Sequence, residues 1–419
     1  MFRSKGIFLK RFSGALLLAP LLLAACGTAG RLDGIRSDYS RGDFTAVEKK
    51  TEGKKDSLNL LLGADAKFQN DKFAESDAAF EAVNRGDHST GILGETARAL
   101  SSQMATEYRP SMMDNLFVSY YQIWDALAMS RPDNARVIIN QSYKKQQDMS
   151  REFATLIGKK REKSSLAKKL AGENAQWNAY KDIMNPALTY LAGIYFLNFA
   201  KDESDYENAR VYFSRAAGMA PDAGFIKKDL AAAQNRRTPN GVAWVFIESG
   251  FAPKLVEQRI DWPTYGTSGV YTVSFAVSRP VMFSPMPAAD GSALLADVDA
   301  MFMTEYGEYT INEALRAFAS AAAKGALQVY ANDRGGALGG LAATIYSMAT
   351  TDAEIRTWIT LPKHIRAVRI EKKKQGLIQL AAGANIISQL ELEPDGNELI
   401  YIRFLGREAK PKIIRLNEQ

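Results

Sequence analysis

The chain has 419 residues, a formal net charge of +6 from 53 Lys and Arg against 47 Asp and Glu, and 46% hydrophobic residues. That length and apolar content suffice for two or three domains with their own cores. One cysteine, Cys26, and two histidines far apart, His88 and His364, exclude a disulfide within the chain and leave no local metal-ligand spacing and no histidine-based triad. No metal and no cofactor is therefore expected.

Residues 1–25 read as a secretory leader: Arg3, Lys5, Lys10 and Arg11 form a basic start, and Phe12 to Leu23 an apolar core interrupted by Pro20 and ending in small residues. The apolar stretch falls short of the roughly 20 residues of a comfortable membrane span. Loss of the leader removes four bases and no acids, leaving 49 bases against 47 acids, a mature balance of +2. Nucleic acid is accordingly not an expected partner. Leu23-Ala24-Ala25-Cys26 resembles the lipobox of bacterial lipoproteins. The resemblance implies cleavage before Cys26, diacylglycerol on its thiol and an acyl chain such as palmitate on its new amine. Each buried CH₂ contributes about 0.8 kcal/mol and one chain binds only marginally, so two or three chains would anchor the protein durably. An ordinary leader with an incidental cysteine and an uncleaved anchor are the alternatives. Gly27, where retention in the inner membrane would call for Asp, implies by the same resemblance a Gram-negative outer membrane, with the protein facing the periplasm.

Residues 26–239 read as helix after helix, with apolar positions at three- and four-residue spacing. Leu58 to Gln69 predicts a first helix, and Phe73, Ser76, Phe80 and Val83 mark a second. Leu116, Tyr120, Ile123 and Leu127 form another stripe, followed by the turn Arg131-Pro132-Asp133 and Ala135-x₃-Ile139. The clearest pair begins near Asn185-Pro186, with Leu188, Leu191, Tyr195 and Phe199 on one helix and Tyr206, Ala209, Phe213 and Ala216 on the next, which Pro221 ends. Ala209-x₃-Phe213 followed by Pro221 resembles the second helix of a tetratricopeptide repeat, and Gly193 and Phe196 resemble conserved positions of its first. The gap from Phe196 to Tyr206 is about four residues too long for that pattern, which one further helical turn would absorb. A short solenoid of such pairs and a generic helical domain are both consistent with these periods. Lys144 to Lys169 carries nine bases against Asp148, Glu152 and Glu162, which suits a solvated helix or a mobile loop, or else a surface facing anionic headgroups or an acidic partner.

From residue 240 to 419 the pattern changes to short apolar or alternating runs bounded by Gly and Pro. Val242 to Ile247, Lys254 to Ile260, Val270 to Val277 and Arg279 to Phe283 predict strands, Thr310 to Tyr330 and Gly340 to Thr350 predict helices, and strands return at Ile365 to Ile370, Leu377 to Ala381, Ile386 to Leu392 and Leu399 to Phe404. Glu393-Pro394-Asp395-Gly396-Asn397 predicts a hairpin turn between the last two. Gly335 to Ala349 is nearly uncharged and about 15 residues long, which suits a buried helical hairpin or contact with a membrane leaflet. The expected fold is thus α+β: an N-terminal tetratricopeptide-like helical repeat domain, then a β-rich domain with a helical insertion near 310–350.

Gly241-x-Ala243-x-Val245, Gly250-Phe251-Ala252-Pro253-Lys254-x-Val256-Glu257 and Glu354-x-Arg356-x-Trp358-x-x-Leu361-Pro362 are similar to segments of a family of repeat-bearing bacterial envelope lipoproteins of unsettled activity. Asn185-Pro186 and Tyr108-x-Pro110 also match family positions, whereas the family often has Asp where this chain has Glu354. The resemblance implies a role in peptidoglycan or outer-envelope assembly and an envelope protein as partner. Glu354, Arg356 and Trp358 alternate, so an extended segment would place them on one face, with Arg356 able to pair with Glu354 and stack on Trp358. They are candidate recognition residues for a glycan or a peptide carboxylate; a Trp plugged into the core beside paired charges is the competing reading. No catalytic residue is assigned. Ser165-x-x-Lys168 lacks the companion elements of penicillin-binding enzymes, Gly266-Thr267-Ser268-Gly269 is not a nucleophile elbow, and no phosphate-binding loop occurs. The sequence therefore points to a non-enzymatic lipoprotein scaffold, with a glycan-binding or glycan-processing protein as the rival.

Overall fold

The computed structural model describes residues 19–86, 107–158, 184–266, 269–286, 291–307, 317–322, 353–374, 376–382, 385–406 and 409–417. Helices occupy the N-terminal part and strands the C-terminal part. The helices are α1 (Ala19–Ser40), α2 (Phe44–Thr51), α3 (Ser57–Gln69), α4 (Phe73–Arg85), α5 (Met112–Ala128), α6 (Pro132–Gly158), α7 (Pro186–Asn198), α8 (Glu203–Met219) and α9 (Ile226–Gln234). Their starts follow from capping chemistry. Asp56 accepts from the Asn59 amide, Ser111 and Asp114 form a reciprocal capping box, Asn185 accepts from Ala187 and Leu188 with Pro186 at the first helical position, and Asp202 accepts from Ser204.

Consecutive helices pack as neighbours, with α3 on α4, α5 on α6, α7 on α8 and α8 on α9. The two members of each pair differ in burial. In α5 every residue from Met112 to Leu127 except Asn115 is buried, and α7 is buried from Pro186 to Leu197. Helices α4 and α8 bury one stripe each, Ser76, Phe80 and Val83 on the former and Asp205, Ala209, Tyr212, Phe213 and Ala216 on the latter. A helix covered all round must touch a second layer besides its partner helix.

That layer is the sheet. Strands β4 (Ala293–Asp297), β5 (His364–Glu371), β1 (Val242–Ser249), β8 (Glu398–Phe404) and β9 (Lys412–Asn417) form a five-stranded sheet in the order β4-β5-β1-β8-β9, with β1 antiparallel to β5 and parallel to β8. Side chains alternate in direction along a strand. Trp244 and Phe246 of β1, Ile365 and Ala367 of β5, and Leu399 and Tyr401 of β8 join the core shared with the helices. Ala243, Val245, Ile247, Ile370, Ile400 and Ile402 form a second core, closed by Ile378, Leu380, Leu390 and Leu392 from the hairpin of β6 (Leu377–Ala382) and β7 (Asn385–Glu391). Edge-to-face contacts of Trp124 with Phe246 and of Phe68 with Tyr401, and a tilted contact of Tyr190 with Phe246, bring α5, α3 and α7 onto the sheet. The inner side of the helical array is thus filled by the chain's own strands.

Several expectations are corrected. Glu393 to Asn397 is not a hairpin turn: β7 pairs with β6, while β8 leaves to lie between β1 and β9. All seven residues of β8 are buried, so it belongs inside the sheet and not beside β7 across its face. Strands β2 (Lys254–Gly266) and β3 (Gly269–Val281) form one long two-stranded ribbon and not the shorter runs expected. Pro263 and Pro280 are tolerated in it because each strand has an edge where no amide donor is needed. Strands β4 and β9 and helix α9 were not anticipated individually. Residues 298–307 and 317–322 are helical; the rest of the helical insertion expected at 310–350, including Gly335 to Ala349, lies outside the described residues.

Gly193 is a close-approach position between α7 and α8. A Cβ there would lie 2.6 Å from Cε1 and 2.7 Å from Cδ1 of the fully buried Phe213 ring. Gly193→Val should therefore destabilise the protein by about 1–3 kcal/mol through overpacking, read as a lower urea midpoint at unchanged m-value.

Candidate functional site

The densest cluster of buried polar groups sits where the helices meet the Ser249 end of the sheet. Register places Glu248 of β1 directly opposite Arg403 of β8, both fully buried. The Arg403 Nη1 lies 3.9 Å from Glu248 Oε2, an ion-pair separation longer than a hydrogen bond. Glu248 Oε2 accepts hydrogen bonds from Tyr121 of α5 at 2.9 Å and from Tyr401 of β8 at 2.8 Å. The Tyr401 hydroxyl in turn accepts from Gln69 Nε2 of α3 at 2.8 Å. Arg403 Nη2 donates to the Thr360 carbonyl at 2.9 Å, and its guanidinium stands 5.4 Å from the centre of the Phe251 ring.

A second buried carboxylate continues the network. Asp65 of α3 accepts from Tyr39 of α1 at 2.9 Å through one oxygen and from Thr360 Oγ1 at 2.5 Å through the other. Thr360 accepts from Trp358 Nε1 at 2.9 Å. Arg36 of α1 donates to the carbonyls of Ala252, at 3.0 Å, and Ile359, at 2.9 Å. Burial pushes the Glu248 carboxyl up to about 7, against the opposing pull of Arg403 and the two tyrosine hydroxyls. Burial likewise raises Asp65 and lowers Arg36 to about 9. At the other end of the same sheet face Asp229 of α9 accepts from Tyr190 at 2.6 Å, Trp244 Nε1 at 3.0 Å and Arg369 Nε at 2.7 Å.

The segments Gly250 to Glu257 and Glu354 to Pro362 meet here. Gly250 has φ +68°, and a Cβ on it would lie 3.0 Å from that of Lys363, so the turn after β1 packs directly on the residue after Leu361-Pro362. The Ala252 amide donates to the Leu361 carbonyl at 2.9 Å. Asn185 caps α7 and Tyr108 donates to Asp114 at 2.6 Å, so both residues hold helix starts. Glu305, its carboxyl raised to about 7 by burial against the Met113 and Met112 amides, accepts from Met112 N and Met113 N at 2.7 and 3.0 Å and fixes the start of α5.

Of the three recognition candidates, Glu354 and Arg356 stay together and Trp358 turns away from them. Arg356 pairs with Glu354, Nε to Oε1 at 2.7 Å and Nη2 to Oε2 at 2.5 Å. The Arg356 guanidinium lies over the Tyr108 ring at 6.0 Å, and the expected stack on Trp358 is replaced by this contact. Trp358 is 2% exposed and turns inward against Phe80 and Tyr121, at 5.7 and 5.9 Å. Its indole is a core plug with its nitrogen satisfied, so it offers no exposed platform to a ligand. Cys26 lies within α1. His364 is a half-buried residue of β5 opposite Ser249, and His88, Ser165 and Lys168 lie outside the described residues.

An open groove of about 450 Å³ runs between α2 and the α3–α4 pair, with Lys49, Lys54, Lys67 and Lys72 set among Glu48, Glu52 and Glu75. Among the described residues no group of three or more His, Cys, Asp or Glu is placed to hold a metal, and no helix is long and apolar enough to cross a membrane. No family model matches the chain, and neither a curated protein nor a solved structure is significantly similar to it.

Sequence reasoning missed Glu248 and Arg403, although each is a charge on the core side of a largely apolar strand. Their chemistry gives two expected outcomes. Because the Glu248 carboxyl in the folded state lies above its ordinary value of 4.5, the folded protein holds its proton more tightly than the unfolded chain. Its contribution therefore falls as pH rises from about 4.5 to about 7 and is flat above. The stability difference between wild type and Glu248→Gln, measured by urea unfolding from pH 4 to 8, should change across that window, wild type losing ground as pH rises. Trp358→Ala should cost about 3–5 kcal/mol, read as a loss of global stability by calorimetry and chemical unfolding.

Proposed function

We propose that the chain is a lipid-anchored protein of the Gram-negative envelope, held in the outer membrane through acyl chains on Cys26 and facing the periplasm. It acts as a scaffold for an envelope protein partner in peptidoglycan or outer-envelope assembly, without catalysing a reaction. The observation that carries this reading is the position of Cys26, at the end of a basic and then apolar leader and six residues before Leu32, the first buried side chain described in α1. A cysteine there joins the lipid to the folded body with no linker between them.

We read the helical pairs as a diverged tetratricopeptide-like array. The α3–α4, α5–α6 and α7–α8 pairs and the contact of Gly193 with Phe213 support this reading. The first helices begin at Ser57, Met112 and Pro186, intervals wider than the repeat's usual 34 or so residues. Because the sheet fills the inner side, the partner surface in this reading is the outward side of α4, α6 and α8, where Val137 and Val211 are 54% and 37% exposed.

Cys26→Ser should move the protein from the membrane to the soluble fraction on fractionation of cells; retention in the membrane would contradict the anchor. Affinity purification of the wild-type protein from solubilised envelopes should recover a partner in stoichiometric amount. Recovery of none, with the purified protein instead binding or cleaving peptidoglycan, would replace the scaffold by the glycan-directed reading.

A further inference from the structure

If Cys26 is acylated, as proposed above, the fold determines which end of the protein meets the membrane. Helix α1 runs without a break from Ala19 to Ser40, so Cys26 shares one helix with Leu32, Ile35, Arg36 and Tyr39, all buried in the body. Six residues at about 1.5 Å of rise place Cys26 roughly 9 Å from the level of Leu32. The docked half cannot swivel freely, because Arg36 is bonded to two backbone carbonyls and stands 4.0 Å over the Phe283 ring, while Tyr39 is bonded to Asp65.

The surface around the exposed end of α1 comes from three elements. Helix α2 runs back along α1, so the loop leading into α3 flanks Arg31, whose Nη1 donates to Asn59 Oδ1 at 2.6 Å. Lys54 of that loop has its ammonium lowered by partial burial and by the charge of Arg31, and Lys55 beside it is exposed. Lys254 at the start of β2 pairs with Asp33 at 2.6 Å. The nearby acids are Asp33, Glu52 and Asp56. Asp33 is taken by Lys254, and Asp56 caps α3 and holds the Asn59 side chain. With Lys254 and Asp33 paired, Arg31, Lys54 and Lys55 stand against Glu52 and Asp56, which leaves this end with a small cationic excess on its rim.

We infer that α1 is a rigid stalk that presses the end of the protein formed by Arg31, the α2–α3 loop and the start of β2 against phospholipid headgroups, whose phosphates suit this rim. The opposite end of the array, around α8 and α9, then points away from the membrane.

The test uses the full-length acylated protein in vesicles of phosphatidylethanolamine and phosphatidylglycerol, with a nitroxide label at Lys55→Cys or at Arg210→Cys; both positions are exposed. Acylation consumes the Cys26 thiol and so leaves the new cysteine alone to react. Collision of each label with a nickel-chelating headgroup lipid is read by paramagnetic resonance. The stalk predicts a several-fold higher collision rate at position 55 than at 210, and a flexible Gly-Ser insertion after Gly30 should erase the difference. Equal rates in protein whose acylation is confirmed by the mass of its N-terminal peptide would overturn the stalk alone. A peptide mass without acyl chains would overturn the anchor and the stalk together.

Discussion

The ion pair of Glu248 and Arg403 is the constraint on which the rest of the structure depends. Removing both ions from water costs several kcal/mol each after relaxation, and a pair 3.9 Å apart returns only part of this. The remainder must come from hydrogen bonds. Tyr121 brings one from the helices, Tyr401 and the Thr360 carbonyl bring others from the C-terminal part, and Gln69 of α3 supports Tyr401. A group that takes donors from both parts of the chain ties them together: Glu248 Oε1 and Arg403 Nε and Nη1 already lack a hydrogen-bond partner, so separation would strip the partners that remain or flood the core with water. Asp65 repeats the device between α1, α3 and Thr360, and Asp229 repeats it at the far end of the same sheet face. The three sites pin the helical array along the length of the sheet and set its position on it.

Burial of the first helices follows from the same arrangement. Helices α5 and α7 are covered on nearly all sides because they lie between an outer helix and the strands, whereas α4 and α8 bury one stripe each and keep a polar outer side. A helical-repeat solenoid ordinarily presents its inner side to a partner, and the proposed array would be expected to do the same. Here Phe68, Trp124 and Tyr190 on that side already contact Tyr401 and Phe246 of the sheet. The partner surface of the proposed scaffold is thereby moved to the outer helices, and the helical array and the sheet become parts of one body.

Local chemistry was legible in the sequence and long-range pairing was not. The pairs around Phe73 to Val83 and Tyr206 to Ala216 could be read from their apolar spacing, and the core position of Trp358 was one of two readings its neighbours allowed. The position of β8 was hidden. Glu393-Pro394-Asp395-Gly396-Asn397 has good turn residues, and turn residues report a local bend without saying which strand lies beyond it. The parallel pairing of β8 with β1 joins residues about 155 positions apart in sequence, and only the apolar runs Val242 to Ile247 and Leu399 to Ile402 hinted at it. Glu248 was overlooked because the apolar run was ended at Ile247; extending the alternation of Trp244 and Phe246 by one step would have placed a carboxylate on the core face and asked for its counter-charge.

The central claim is that the helical array and the sheet form one cooperative unit locked by these buried charges. Hydrogen exchange followed peptide by peptide through a urea series tests it most directly, since each segment then reports its own opening. The account predicts that peptides of α3, α5 and α7 and peptides of β1 and β8 lose protection at one common midpoint. Helical peptides that stay protected after β1 and β8 have opened would contradict it.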